Sequence, residues 1–385
     1  MNVPKLRFKE FNDEWQNYKV EEILKISNGI NKEKEFFGSG TPIINYMDVN
    51  KNELISHNIV KGLVIANSKE LETFNVKKGD ILFTRTSETS DEIGLSSSVI
   101  ENIDKCIFSG FILKGTQTKQ FIHPYFGGYY FRNPKMRKEI IKHSSITTRA
   151  LTSGSLLSQM SISIPTIIEQ EKIGKTLSLL DKKIELQTKK IEDLKLFKKG
   201  LLYNEKRNNN SWNEYKISDI MNIARGTVIP KTEISECLNN EFRYPVYSSQ
   251  TSNNGILGYD NKYDFNGKFL TWTTDGANAG KIFYREGKFR CTNVCGILYN
   301  KDNRYVSELT AELLNIETPK YVSYVGNPKL MNNVMSNIII KLPDPSRDHF
   351  FSSILKIINK KLTIEEEKLD KLFELKKGLM QNMFV

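Results

Sequence analysis

The segment WQNYKVEEILKISNG at residues 15–29 returns in the second half of the chain as WNEYKISDIMNIARG at residues 212–226. Tryptophan, tyrosine, lysine, the aliphatic positions and the closing glycine align at a constant offset of 197 residues, from Trp15 to Trp212. A repeat of this kind indicates that one structural unit occurs twice along the chain. We therefore expect a fold built from two related halves.

A second pair of matching segments closes each half. LSQMSISIP ends at Pro165 and MSNIIIKLP ends at Pro343, an offset of 178 residues that persists to LFKKGLL at 196–202 and ELKKGLM at 374–380. The residues between the opening and closing segments share little similarity, and the first half contains 19 more of them. Two similar frames therefore enclose two different inserts.

The segments after Pro165 and Pro343 repeat apolar residues at steps of three and four, which is typical of a coiled-coil seam. Each spans roughly 38 residues, which predicts a helix about 57 Å long. We expect the two helices to pack against each other in antiparallel fashion; the alternative is that each packs on its own domain. The predicted interface residues are Leu177, Leu180, Ile184, Gln187, Ile191, Leu194, Leu355, Ile358, Leu362, Glu365, Leu369 and Leu372.

Polar residues interrupt both seams at equivalent positions, Gln187 with Glu365 and Lys198 with Lys376. A polar seam residue costs stability and can fix the register of a helix pair. In an antiparallel pair related by a pseudo-two-fold axis, the Gln187 and Glu365 side chains are expected to lie close together near the middle.

The inserts mix strand-like segments at 79–83 and 267–272 with helix-like segments at 124–143 and 305–315. The predicted fold class is α+β: two mixed α/β domains, separated by a pair of long antiparallel helices, with an internal pseudo-two-fold repeat. The predicted limits are 1–165 for the first domain, 166–206 for the central helix, 207–343 for the second domain and 344–385 for the C-terminal helix.

The chain of 385 residues carries a formal net charge of +11 at pH 7. This excess of lysine and arginine favours a polyanionic partner, because basic side chains displace counterions from phosphates. Four cysteines are too few for a disulfide framework in a chain this long. The N-terminal segment does not resemble a signal peptide, and no stretch of about 18 apolar residues occurs. We therefore expect a cytoplasmic protein without a membrane span.

The doubled order of variable insert and long helix resembles the specificity subunits of type I restriction–modification systems. The segments that carry the resemblance are VPKLRFKEFNDEW (3–15), GDILFTRTS (79–87), ISIPTIIEQEKIGKTLSLLDKKIELQ (162–187) and TWTTDGANAGKIFYREGKF (271–289). Together with the repeat, they extend the resemblance over nearly the whole chain.

The resemblance implies that each insert is a target recognition domain that reads one half of a split DNA site. It implies that the helices act as a ruler between the halves and dock two adenine methyltransferase subunits, which motor–nuclease subunits then join. The chain itself would bind duplex DNA without catalysing a reaction. S-adenosylmethionine, ATP and Mg²⁺ would belong to the partner subunits. Because the two inserts differ, the expected DNA site is asymmetric.

The sequence lacks the motifs that chemistry of this kind requires. The Asn-Pro pairs at 133 and 327 are followed by lysine, not by the Pro-aromatic pair of an adenine methyltransferase. Gly174-Lys175-Thr176 lacks the upstream glycine of a phosphate-binding loop, so a plain helix is expected there. Asp344 and Glu366–Lys368 fall on a predicted helix, where a solvated face is expected instead of a nuclease site. Cys291 and Cys295 lack a second ligand pair, which favours buried thiols over a metal site.

Base edges are read by arginine, lysine, amides and hydroxyls, and phosphates by basic and hydroxyl groups. Polar runs at strand ends and turns are therefore the predicted DNA contacts, with ordinary polar loops as the alternative. Lys135 and Lys329 are secondary candidates for phosphate contact. The principal candidates are Thr84, Arg85, Thr86, Ser87, Thr148 and Arg149 with the adjacent Thr147 in the first insert, and Tyr247, Ser248, Ser249, Gln250, Thr273, Thr274 and Asp275 in the second.

Two other functions fit the sequence pattern. A stand-alone two-headed DNA-binding regulator would bind its site tightly without partner subunits. A coiled-coil interaction protein without DNA affinity would show no salt-dependent binding to duplex DNA.

Overall fold

A computed structural model describes residues 3–146, 149–207, 212–300 and 304–385. The chain divides into two compact units, Met1–Thr188 with Glu367–Val385, and Lys189–Glu366. Residues 15–165 are called the first head and residues 212–343 the second head below. Each unit combines one head with part of each long helix. The predicted limits of the domains themselves stay a prediction.

The secondary structure alternates short strands and short helices within each head. The elements of the first head are β1 (Gln16–Lys19), α1 (Val20–Ile23), β2 (Leu24–Asn28), β3 (Phe37–Ile44), α2 (Tyr46–Lys51), β4 (Leu54–Ile55), β5 (Gly62–Val64), α3 (Ser68–Thr73), β6 (Ile81–Thr84), β7 (Thr86–Ser87), β8 (Ser96–Val99), β9 (Ile107–Phe108), β10 (Ile112–Gln117), α4 (Pro124–Tyr130), α5 (Pro134–Lys142), β11 (Ser145–Ile146), β12 (Ala150–Leu151), α6 (Gly154–Ser158) and β13 (Ser161–Ile164).

Two long helices follow the heads, one each. The remaining elements are α7 (Ile167–Arg207), β14 (Asn213–Lys216), α8 (Ile217–Ile220), β15 (Asn222–Arg225), β16 (Tyr244–Tyr247), β17 (Ile256–Asp260), β18 (Phe265–Thr273), β19 (Ile282–Cys291), β20 (Cys295–Tyr299), α9 (Glu308–Glu317), α10 (Asn332–Ser336), β21 (Ile339–Leu342) and α11 (Pro345–Asn382). The predicted strands, the helices around 124–143 and 305–315, and the two long helices are confirmed.

The repeated segments form the same small sheet in each head. β1 pairs antiparallel with β13, matching Gln16 to Ile164. β14 pairs antiparallel with β21 in the equivalent register, matching Asn213 to Leu342. The two sequence offsets therefore correspond to one structural frame, which brings the opening and closing segments of each insert together.

Each insert forms a larger sheet, and both sheets have a fully buried strand near the middle. In the first head the strand order is β2-β10-β6-β8-β4, and in the second it is β15-β20-β18-β19-β16-β17. The middle strands β6 and β18 bury every side chain from Ile81 to Thr84 and from Leu270 to Thr273. Each head thus has a rigid central strand whose carboxyl end enters the polar turn considered below.

The predicted seam residues of α7 and α11 are buried or half-buried, as are further residues of α7 such as Ile173 and Leu202. Leu177 and Leu355 are fully buried, and Gln187, Leu194, Leu369 and Leu372 are half-buried. The remaining seam residues are 4–9% exposed, and they are Leu180, Ile184, Ile191, Ile358, Leu362 and Glu365. Their assignment to a helix–helix interface, and the predicted proximity of Gln187 to Glu365, stay predictions.

Within each unit the two long helices run antiparallel. In the first unit, Lys376 Nζ of α11 lies 2.7 Å from Asp181 Oδ1 of α7. In the second unit, Lys198 Nζ of α7 donates to Asn359 Oδ1 of α11 at 3.0 Å. These two contacts are equivalent under the 178-residue offset, since Lys198 corresponds to Lys376 and Asp181 to Asn359. The lysine interruptions of the seams therefore join the helices at matching positions.

The same two lysines also join the helices to the heads. Lys376 Nζ lies 2.9 Å from Glu53 Oε1 of the first head, and Lys198 Nζ lies 2.7 Å from Glu312 Oε1 of the second. Burial works against the charge of Lys376, but the Glu53 and Asp181 carboxylates outweigh it and hold its pKa above the usual value. Burial likewise disfavours charged Glu53, yet Lys376 and Arg132 keep its pKa below the usual 4.5.

We expect Lys376→Met to lower the free energy of unfolding by about 2 kcal/mol, because it leaves two partly buried carboxylates without their cation. The lowered pKa of Glu53 means that its contribution to stability is present above pH 4.5 and is lost as pH falls through the folded-state pKa. The difference between wild type and variant should therefore be largest near neutral pH and shrink in acid.

Denaturant unfolding at pH 7 and at about pH 4 measures this difference, with Lys377→Met at the exposed neighbouring position as the control. An equal loss of stability in the two variants, or no change with pH, would show that these ion pairs do not contribute to the free energy of unfolding.

The two ends of the described chain meet in the first unit. The Leu6 amide donates to the Asn382 carbonyl at 2.8 Å, and Met383 and Phe384 are buried in the core of the first head. Phe384 packs on Phe126 and Tyr130. The N-terminal segment and the last turn of α11 thus complete the first unit together.

Candidate nucleic-acid interface

Central strand β6 of the first head ends in a turn that Thr84 organises. The Thr84 hydroxyl donates to the Glu92 carbonyl at 2.9 Å and accepts from the Leu95 amide at 2.9 Å. The Gly94 amide donates to the Thr84 carbonyl at 3.0 Å, and Gly94 has a φ of 59°, which favours glycine. One buried hydroxyl therefore closes the loop between residues 84 and 95.

Central strand β18 of the second head ends in the same way. The Thr273 hydroxyl donates to the Asn278 carbonyl and accepts from the Lys281 amide at 3.2 Å. The Gly280 amide donates to the Thr273 carbonyl at 2.8 Å, and Gly280 has a φ of 86°. We call residues 84–95 and 273–281 the strand-end turns. The two turns share their hydrogen bonding but not their sequence.

A short hairpin lies beside each strand-end turn. In the first head β12 pairs with β7, and the Thr152 amide donates to the Arg85 carbonyl at 3.0 Å. In the second head the Leu330 amide donates to the Thr274 carbonyl at 2.9 Å, and the Gly276 amide to the Pro328 carbonyl at 3.0 Å. In each head, backbone hydrogen bonds thus join a neighbouring segment to the strand-end turn.

The predicted contact residues on the strand-end turns fall into two groups. Thr84, Ser87, Thr273 and Thr274 are buried, and the hydroxyls of Thr84, Ser87 and Thr273 already have partners inside the protein. Half-buried positions remain for a ligand at Arg85, Thr86 and Asp275. DNA contact by any of these residues stays a prediction, and the half-buried group has the better access.

The first head also brings two of the predicted clusters together. Arg149 is exposed and immediately precedes β12, which pairs with β7 at Thr86–Ser87. Thr147 and Thr148 lie outside the described residues. The sequence alone gave no reason to join 84–87 with 147–149, since they are about sixty residues apart.

In the second head the polar run at 247–250 is half-buried and well connected. The Tyr247 ring stacks on the Arg285 guanidinium at 3.6 Å, Ser248 Oγ accepts from Thr292 Oγ1 at 3.2 Å, and Gln250 Nε2 donates to the Ile256 carbonyl. Burial lowers the pKa of Arg285, which is 3% exposed. This cluster therefore supports the loop from beneath.

A side-chain bond links that loop to the strand-end turn. Asn278 Nδ2 donates to Thr251 Oγ1 at 3.1 Å, so both predicted polar runs of the second head border one surface. The hairpin at 323–329 completes it, and the sequence reasoning missed that hairpin apart from Lys329. The missed signal was the 178-residue offset, which maps residues 145–151 onto 323–329.

The cysteine pair and the Gly-Lys-Thr triplet singled out in the sequence are both part of packed structure. In the part of the chain that the structure describes, no group of three or more histidine, cysteine or acidic residues has the arrangement of a metal site. Cys291 and Cys295 are buried free thiols of the second head's core. Gly174 lies in α7 against the backbone of α4, where a Cβ would approach Phe126 N to 2.5 Å, so the Gly-Lys-Thr triplet is part of a packed helix.

Comparison with known protein families assigns both repeated halves of the chain to one family. The profile of the Type I restriction modification DNA specificity domain matches residues 12–196 and again residues 209–374, which is most of the chain. The chain belongs to the type I restriction–modification specificity subunits. Each matched region contains one head and most of the long helix that follows that head.

Relatives from Mycoplasma pneumoniae (strain ATCC 29342 / M129 / Subtype 1) support this membership. "Putative type I specificity subunit S.MpnORF289P N-terminus" is 46% identical over 125 residues, covering 32% of this chain and 65% of that protein. The type I restriction enzyme MpnII specificity subunit is 41% identical over 130 residues, covering 34% of this chain and 38% of that protein. The matched stretches therefore cover less than two thirds of these specificity subunits.

A solved structure matches the fold of this specificity subunit along its whole length. The S subunit of a type I restriction–modification system from M. genitalium aligns over 100% of this chain and 99% of its own, with a TM-score of 0.73 and 16% identity. At this identity the likeness concerns the fold alone.

None of the helices that the structure describes combines the length and the apolar composition of a membrane span.

Proposed function

We propose that this specificity subunit reads a bipartite, asymmetric duplex DNA site, with one head on each half. The observation that supports it best is that both heads repeat one arrangement of strand-end turn and hairpin while exposing different side chains on it. The first head offers Arg85, Thr86 and Arg149, and the second offers Asp275 and an aromatic hairpin. Two unlike surfaces on one scaffold suit two unlike half-sites.

The charge of the chain fits a nucleic-acid partner. A net charge of +11 favours association with phosphates, and the proposed contact groups include two guanidinium groups in the first head, Arg85 and Arg149. The length of the paired helices would set the number of base pairs between the half-sites. One turn of duplex measures about 34 Å, so helices of about 57 Å are long enough to serve two half-sites.

We further infer that the long helices recruit methyltransferase subunits through a second apolar stripe. Leu179 and Leu186 on α7 are 69% and 58% exposed, and their equivalents Ile357 and Ile364 on α11 are 69% and 41% exposed. Each lies two residues after a buried seam residue, about 200° further around its helix, and so faces away from the seam. Two equivalent stripes predict two copies of the partner.

The subunit itself would then hold no catalytic centre. Its heads are used for reading and its helices for assembly. S-adenosylmethionine would be bound by the methyltransferase subunits, and ATP and Mg²⁺ by the motor–nuclease subunits that join them. The methyl group would be placed on adenines that the partner turns out of the base stack.

Co-expression with a methyltransferase subunit, followed by mapping of methylated adenines across a genome, tests the proposal. A split motif is expected only when both chains are present. A regulator would bind its DNA tightly without the methyltransferase, and an interaction protein would give no methylation and no salt-dependent shift of duplex DNA.

A further inference from the structure

The hairpin of the second head, residues 323–329, is a closed finger. The Ser323 amide donates to the Lys329 carbonyl and the Lys329 amide to the Ser323 carbonyl, both at 2.9 Å. The turn between them passes through Gly326 at a φ of 75°, a conformation that favours glycine. The tip exposes Tyr324 at 69% and Val325 at 92%.

The base of the finger is anchored in the core of the second head. Leu330 is fully buried, and its carbonyl accepts from Trp272 Nε1 at 3.0 Å. Two backbone hydrogen bonds join the finger to the strand-end turn, as described above. A tip held in this way is preorganised, so a ligand that contacts it need not order a loop first.

The first head has an equivalent pair of short strands, β11 and β12. Ser145 pairs with Leu151, as Ser323 pairs with Lys329, and the 178-residue offset relates both positions. Ile146 at the end of β11 is 55% exposed. Because the pairing is kept while the sequences of 145–151 and 323–329 differ, these segments are suited to distinguish one half-site from the other.

Charge and shape favour duplex DNA as the occupant. Residues 318–343 include no aspartate or glutamate, and residues 140–168 likewise lack acidic residues. Of the three lysines at 318–343, Lys320 and Lys341 pair with Glu317 and Glu214, and Lys329 closes the finger. The major groove admits a two-stranded ribbon, and apolar side chains there contact thymine methyl groups. Asp275 lies beside the finger, since its backbone forms an antiparallel β-bridge with that of Lys329. A carboxylate at this position suits the amino group of cytosine.

We propose that the 323–329 finger enters the major groove of the half-site read by the second head, with Tyr324 and Val325 as base-contacting residues. The proposal rests on the proposed function of the heads as DNA readers. It extends that function by assigning specificity to the finger, whose sequence the first head does not share.

The test uses the complete chain with its methyltransferase subunits and a library of duplexes that differ from the mapped site by single base pairs. The variant is Tyr324→Ala with Val325→Ala, and the control is Ile339→Ala, an apolar residue of the frame that is 56% exposed. Discrimination is the ratio of the affinities for the mapped duplex and the changed duplex. We expect the variant to lose about ten-fold or more in discrimination within the half-site read by the second head, and to keep its discrimination within the other half-site.

The single variant Val325→Ala provides a second reading, since truncating a side chain that is 92% exposed leaves the fold intact. Unchanged discrimination in a selective complex, or an equal loss in both half-sites, would overturn the role of the finger. A wild-type complex without any sequence preference would instead overturn the proposed function.

Discussion

Leu177→Asp is expected to lower the free energy of unfolding by about 4 kcal/mol or more. Leu177 is fully buried on α7 among the core residues of the first unit, with Ile173 and Phe126 in the same cluster. The substitution removes apolar contacts and places a carboxylate in an apolar cluster, and each effect costs a few kcal/mol. A drop of the denaturant midpoint measures the result.

Leu179→Asp is the matched control, two residues along the same helix. Its side chain is 69% exposed, so the same change is expected to alter stability by no more than about 0.5 kcal/mol. The pair Leu355→Asp and Ile357→Asp repeats the comparison on α11, because Leu355 is fully buried and Ile357 is 69% exposed. Equal effects at both members of a pair would contradict the assignment of the buried seam.

The second large effect is expected on assembly with the methyltransferase. Leu179→Asp and Ile357→Asp each place a charge in one exposed stripe, and a charge at the centre of an apolar contact typically removes binding. If each stripe receives one copy, either single variant should assemble with one methyltransferase subunit and the double variant with none. Native mass spectrometry reports the stoichiometry directly.

Glu185→Ala, an exposed polar position on α7, controls for general changes to the helix surface and should retain two copies. A double variant that still carries two methyltransferase subunits would show that the stripes are not the docking surface. Because the stripe variants are expected to remain folded, this outcome is separate from that of the seam.

Periodicity and repetition made much of the fold predictable. The step of three and four residues identified the buried face of both long helices, and Leu177 and Leu355 are indeed fully buried. The two offsets predicted two copies of one frame, which β1 with β13 and β14 with β21 confirm in equivalent register. Such signals are local or repeated, so a single sequence is enough to detect them.

The arrangement of the site was less accessible to sequence reasoning. A threonine at a strand end can face a ligand or close its own turn, and Thr84 and Thr273 do the latter. The polar seam residues Lys198 and Lys376 have partners on the heads at Glu312 and Glu53, which no spacing predicts. These outcomes depend on contacts between distant segments, as does the pairing of each strand-end turn with its neighbouring segment.

The claim that each head reads one half of a DNA site is tested most directly by a map of the adenines that are methylated by this chain with its methyltransferase. We expect one motif with two short specified halves of different sequence, separated by a fixed number of unspecified base pairs, and a methylated adenine associated with each half. A continuous motif, or two identical halves, would contradict the claim that each head reads its own half of the DNA site.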